Sequence, residues 1–228
     1  RHPTGTVNVT LDDAGVPHFD IRRNVAYDYL DLSPQVLTGI ENQKMVYFGT
    51  LLQRTESACR QVADFLRRQG NSVMRFCDIN MRPPHVNLHA LTESLTHADL
   101  LKLSEDELEK IQKEFGGPTD SRSSLQWLME TYAIHFIALT QGEQGSTFAW
   151  SGGLIHSAAI AADTIVDTVG AGDGYAAILA AGYLLGADWQ MTIAQASRFA
   201  GRLCGIAGAV PDDHRFYDEF SSLSFHSR

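Results

Sequence analysis

The chain has 228 residues, 44% of them apolar, enough to bury one full core with a small appendage. A net charge of −9, with no basic cluster larger than Arg22-Arg23, argues against a nucleic-acid surface. Three widely spaced cysteines, Cys59, Cys77 and Cys204, argue against a disulfide framework or a cysteine zinc site, and fit a reducing cytoplasm.

Thr6-Val7-Asn8-Val9-Thr10-Leu11 alternates with period two, and Pro17-His18-Phe19-Asp20-Ile21 follows across Asp12-Asp13-Ala14-Gly15. Such a pair reads as a β-hairpin, which must lie on something to be stable. Ser33-Pro34 reads as a helix start with Ser33 as the cap. Strands are expected at 44–48, 73–79, 99–103 and 135–140, and helices at 55–69, 104–115 and 122–132. That alternation implies a parallel sheet with helices on both faces. Segments 146–150 and 154–158 are more β-like, and two long helices are expected at 173–186 and 190–206. The longest apolar run, 175–185, is broken by Gly182 and too short to cross a membrane. The polar opening Arg1-His2-Pro3-Thr4-Gly5 does not read as a secretory signal.

In an open parallel sheet, ligands bind beyond the carboxyl ends of the strands, and the polar clusters of this sequence fall there. Asp78, Asn80 and Arg82 alternate along a segment that Pro83-Pro84 should hold extended. The lesser alternative is that Asp78 and Asn80 merely satisfy turn backbone. His85 and His89 are four apart with no Glu between them, and read as surface histidines rather than zinc ligands. Ser104 and Glu107 form an S-x-x-E capping box. Gln also serves in such a box, so Glu107→Gln is expected to leave stability nearly intact. Thr140-Gln141-Gly142-Glu143-Gln144-Gly145 follows the strand at 135–140, and alone it is a plain turn.

The most informative stretch is Asp167-Thr168-Val169-Gly170-Ala171-Gly172-Asp173, directly before an apolar helical run. A Gly-Ala-Gly turn there lets backbone approach a ligand and aims free N–H groups at it from a helix N-terminus, which collects phosphates. Asp173 would repel an anion unless its task is to take a proton from an attacking hydroxyl. A plain first-turn Asp is the alternative, since helices favour one there. No Walker A string, Rossmann G-x-G-x-x-G or Gly-x-Ser-x-Gly elbow occurs.

The heptapeptide resembles the D-T-x-G-A-G-D signature of the ribokinase-like (pfkB) carbohydrate kinases, with every fixed position present. The resemblance implies a ribokinase-like parallel sheet flanked by helices, with Asp173 as catalytic base and Gly170, Ala171 and Gly172 as anion hole. It implies ATP and Mg²⁺ as cofactors. Asp78-Ile79-Asn80-Met81-Arg82 is similar to the family's D-x-N-x-R segment, which implies Asn80 and Arg82 near substrate. Glu107 matches the Glu of the family's N-x-x-E motif and is implied to organise Mg²⁺, although Ser104 stands where the Asn would be. Residues 140–145 resemble the T-x-G-x-x-G nucleotide loop, placing Thr140, Gly142 and Gly145 along ATP.

Tyr47-Phe48-Gly49-Thr50-Leu51-Leu52-Gln53-Arg54 and Ile79-Asn80-Met81-Arg82-Pro83-Pro84 look like the fructokinase-type branch, which implies fructose as acceptor. The hairpin matches the later half of the family's lid, giving a lid hairpin with its connection over 1–24 and a nucleotide-binding and catalytic core over 25–228. Relatives pair through that lid, so a homodimer is implied. The family's first strand and its Gly-Gly-x-x-x-Asn segment have no counterpart in this sequence, and sugar affinity is expected to be weak without them. Three other readings stay open: a kinase of a 2-keto-3-deoxy sugar acid, a nucleoside kinase, and an inactive truncated nucleotide-binding module.

Overall fold

The computed structural model describes residues 2–11, 17–38, 40, 42–160 and 164–221. Two short strands come first, β1 (Val7–Leu11) and β2 (Pro17–Ile21), paired antiparallel with Val9 opposite Phe19. The expected turn at Asp12-Asp13-Ala14-Gly15 lies outside the described residues. A 3₁₀ turn at Ala26–Tyr29 follows, and it anchors the hairpin to the core. Arg54 donates to both carboxylate oxygens of Asp28 at 2.6 and 2.7 Å, and to the Arg22 carbonyl at 2.6 Å. The guanidinium holds the Asp28 carboxyl below the usual carboxylate range, chiefly through that hydrogen bonding.

Six strands then form one sheet in sequence order: β3 (Met45–Gly49), β4 (Met74–Asp78), β5 (Leu100–Ser104), β6 (Phe136–Thr140), β7 (Ser146–Trp150) and β8 (Gly153–Ser157). The first four are parallel, and β7 pairs antiparallel with β6 on one side and β8 on the other. The central strands are buried on both faces, which is why they read as continuous apolar runs. Period-two alternation divides their side chains between two cores. Cys77, Leu101, Ile137 and Leu139 pack on one face against α1 (Glu56–Arg67), α2 (Leu88–His97), α3 (Glu105–Phe115) and α4 (Ser121–Tyr132). Phe76, Leu100, Ala138 and Phe148 pack on the other against α5 (Ala171–Leu184) and α6 (Trp189–Leu203). Among the described residues no helix is long and apolar enough to cross a membrane.

Two expectations fail here. Ser33-Pro34 does not start a helix: the Val36 and Leu37 amides both close onto the Ser33 carbonyl, and the chain makes only a turn. Ser33's own amide is taken by the Asp31 side chain at 3.0 Å, which competes with helix entry. Conversely, α2 was not foreseen. Asn87 caps it by accepting from the His89 and Ala90 amides, and Ala90, Leu91, Ser94 and Leu95 form its buried face. Of the two histidines, His89 rides on the outer side of this helix, near Glu56 and Glu93.

Side chains close the starts of most helices. Thr55, Asn87, Ser104, Asp120 and Asp188 cap α1, α2, α3, α4 and α6. Among the longer helices of the described residues, α5 alone begins without a side-chain cap, on Gly170.

Candidate active site

The start of α5 is built by the stretch that precedes it. Asp167 accepts from the Val169 amide at 2.9 Å and the Gly208 amide at 3.2 Å, which holds its carboxyl below the ordinary range. The Val166 amide donates to the Cys204 carbonyl at 2.8 Å, so the loop is tied to the chain beyond α6. Gly170 then turns with φ +82, against Ala209: a Cβ on it would sit 2.6 Å from that residue's methyl. Only glycine makes this turn without strain. The helix begins two residues earlier than its periodicity suggests, so Gly172 and the exposed Asp173 lie in its first turn. The Ala171 amide is engaged by the Thr168 carbonyl at 3.3 Å. Among the described residues, the amides of Gly172 and Asp173 donate to no backbone carbonyl.

A cavity of about 570 Å³ opens against this helix start. Thr140, Gly142 and Gly145 line it together with Ala171 and Gly172, so the two glycine-containing loops face one space. Ile160, Ile165 and Ala200 give it apolar walls. Tyr175 lines it as well, donating to Ser146 Oγ at 2.9 Å, and burial pushes that phenol up to about 12. Asn80, Arg82 and Glu107 are not among its lining residues.

Those three belong to the carboxyl ends of β4 and β5. The strand geometry expected through Arg82 stops at Asn80, whose φ is +45. The chain then turns, with the His85 amide donating to the Arg82 carbonyl at 2.7 Å. Arg82 is exposed and Met81 is buried. Glu107 holds this bend in place: Oε1 accepts from the Met81 amide at 2.6 Å and Oε2 from the Ser104 amide at 2.8 Å. It is therefore more than a capping residue. The expectation that Gln would replace it without loss is corrected by this geometry, because the NH₂ of a Gln would face a buried amide donor. Glu107→Gln should cost about 1–3 kcal/mol, the penalty of an unsatisfied buried donor, read as a Tm lowered by several degrees. An unchanged Tm would show that one of the two amide bonds contributes nothing.

Sequence reasoning missed two neighbours of these residues. Lys102 sits in the buried strand β5 directly opposite Asp78 of β4, and its Nζ donates to both Asp78 oxygens at 2.9 Å. Tyr47 of β3 donates its hydroxyl to Asp78 Oδ2 at 2.9 Å. Desolvation, then the charge of Asp78, then more weakly that of Asp173 push the Tyr47 phenol above its ordinary range. The signal was available: Leu100-Leu101-Lys102-Leu103 places a cation inside an otherwise apolar strand, and a buried Lys requires a partner.

The sequence model of the pfkB family carbohydrate kinases matches residues 1–213. The fructosamine kinase of Bacillus subtilis strain 168 is 31% identical over 98 residues, which are 42% of this chain and 34% of that kinase's own length. A fructokinase double mutant from Vibrio cholerae O395, solved with fructose, ADP and a potassium ion, superposes with a TM-score of 0.75 at 20% identity. That superposition covers 96% of this chain and 73% of the other. The ribokinase of Thermotoga maritima superposes with a TM-score of 0.74 at 16% identity, over 96% of this chain and 70% of the other. At such identities the likeness establishes a ribokinase-like α/β fold.

Proposed function

The chain belongs to the pfkB family of carbohydrate kinases, and from that premise we propose that it transfers the γ-phosphoryl group of ATP to a primary hydroxyl of a ketohexose, with fructose the acceptor. One observation carries the reading. The cavity joins the loop at Thr140, Gly142 and Gly145 to the only long helix start, among the described residues, that no side chain caps. A nucleotide lying there would direct its phosphates to the amides of Gly172 and Asp173. The ketohexose reading rests on the strings at 47–54 and 79–84 that look like the fructokinase-type branch. A fructosamine kinase and a fructokinase bound to fructose among the relatives are in keeping with it.

In this reading Asp173 accepts the proton of the acceptor hydroxyl as its oxygen attacks the γ-phosphorus. The amides at the helix start stabilise charge on the transferred group. Gly170 and Ala171 shape the hole, and Asn80 and Arg82 border the acceptor. Among the described residues no group of three His, Cys, Asp or Glu side chains offers a metal a full ligand set. Both oxygens of Glu107 already accept amides, so a Mg²⁺ ion would have to arrive on the nucleotide phosphates, and Glu107 would hold it only through water. Bound in that way, the ion neutralises charge on the phosphate oxygens.

ATP with Mg²⁺ should raise the melting temperature of the protein through mass action. Gly142→Val should abolish that rise. Gly142 adopts φ +54, which a β-branched residue resists, and a Cβ there projects into open space at the cavity wall. A rise retained in the variant would place the nucleotide elsewhere. Sugar-stimulated ADP release over a panel of fructose, ribose, nucleosides and 2-keto-3-deoxy sugar acids then identifies the acceptor, and no release with any of them would refute the kinase reading.

A further inference from the structure

We propose that Lys102 is a catalytic residue, a cation that contacts the phosphoryl group being transferred, and that Asp78 and Tyr47 are positioning residues that hold its ammonium at the helix start. This rests on the kinase reading above. The position comes first. Lys102 Nζ lies 3.3 Å from the point where a Cβ on Gly172 would sit, within contact distance of the first turn of α5. Among the described residues, the chain neighbours of Gly172 aside, no other side chain is that near to the same point. The ammonium therefore lies against the helix start that carries the open amides.

Hydrogen-bond capacity comes second. An ammonium has three donors, and the two bonds of Lys102 both go to Asp78. One N–H remains for a ligand. Asp78 is itself committed: one oxygen accepts from both Lys102 and Tyr47, and the other from Lys102. With its carboxylate so held from two strands, Lys102 has little freedom to turn elsewhere.

Charge comes third. Asp78 is within electrostatic reach of Glu107, and Tyr47 within reach of both Asp78 and Asp173. A triphosphate arriving among three carboxylates needs a cation of its own, and Lys102 is the one built into this end of the sheet. A purely structural role accounts poorly for the pair. Leu100, Leu101 and Leu103 surround Lys102 in the strand, and replacing a buried ion pair by well-packed apolar residues is commonly neutral or stabilising.

The decisive experiment uses the wild-type chain, which has four lysines, of which Lys44, Lys110 and Lys113 are exposed and Lys102 is buried. With ¹³Cε-labelled lysine, the buried resonance should shift when the β,γ-imido analogue of ATP is added and stay nearly unmoved with ADP. In a second arm, Lys102→Met combined with Asp78→Asn removes both charges together, so that no ion is left buried alone. ATP affinity should fall about ten- to a hundredfold, as for a lost charge-assisted hydrogen bond, while ADP affinity changes little. Asp78→Asn alone should lower the preference for ATP over ADP in part, a ratio that a merely structural residue would not move. If wild type binds both nucleotides while the buried lysine signal ignores the imido analogue, Lys102 is structural and the inference fails alone. If wild type binds neither nucleotide, this inference and the kinase reading fail together.

Discussion

Asp173→Asn should lower sugar-dependent ADP release by about two to four orders of magnitude, the range observed when a general base is lost. The substitution keeps shape and most hydrogen-bonding capacity, and removes only the proton acceptor. Asp173 is exposed in the first turn of α5, and the helix start does not use it as a cap. Melting temperature should therefore stay close to that of the parent. Nucleotide affinity should hold or improve, because a negative charge near the γ-phosphate has gone. Stopped assays with saturating sugar and ATP, paired with a binding titration, separate the two quantities. A turnover near that of the parent would remove Asp173 from the mechanism and leave it a first-turn residue.

Gly170→Ala should be nearly as damaging, by a different route. Its backbone has φ +82, and the added methyl would meet Ala209 at 2.6 Å and that residue's Cα at 2.8 Å. The loop would have to lift from the segment beyond α6, dragging the bond between Asp167 and Gly208 with it. The open amides would then point off target. Misplacement of about an ångström costs on the order of a hundredfold in rate, and turnover should fall by about that much. ATP should also lose most of its effect on melting temperature. Gly186→Ala is the control: it shares the left-handed backbone, φ +67, but its Cβ would meet nothing and it lies at the far end of α5. It should cost stability and spare turnover. Equal loss of turnover in both variants would show that strain alone, and not the position of the helix start, explains the effect.

The parallel half of the sheet was legible because burial on both faces writes strands as short apolar runs, and amphipathic helices separate them. Strand and helix ends came within a few residues. The unforeseen helix α2 follows a Pro pair and a histidine-bearing stretch, and its buried face is small, so neither composition nor punctuation marked it. Ser33-Pro34 misled for the opposite reason: a good local start signal had no amphipathic run behind it to pack. At the candidate site, residues close in sequence were easy to group. The signature turn and the loop at 140–145 were singled out as motifs, and their shared cavity is a product of the fold. Lys102 and Tyr47 escaped because their significance depends on which residue of the next strand lies opposite, and single-strand patterns do not carry that information. The double duty of Glu107 escaped likewise, since its second amide belongs to Met81, 26 positions away.

The pairing of β4 with β5 sets Asp78 opposite Lys102. Slipping one strand by a single residue would set Asp78 against Leu101 or Leu103, and strand alternation would turn the carboxylate and the ammonium toward opposite faces of the sheet. Two lone ions in hydrocarbon cost several kcal/mol each, whereas the leucines around them would tolerate the shift. During folding, greasy neighbouring strands can zip together in more than one alignment, and here the wrong alignments carry a large electrostatic penalty. The buried charge pair beside the start of α5 thus also proofreads the centre of the sheet.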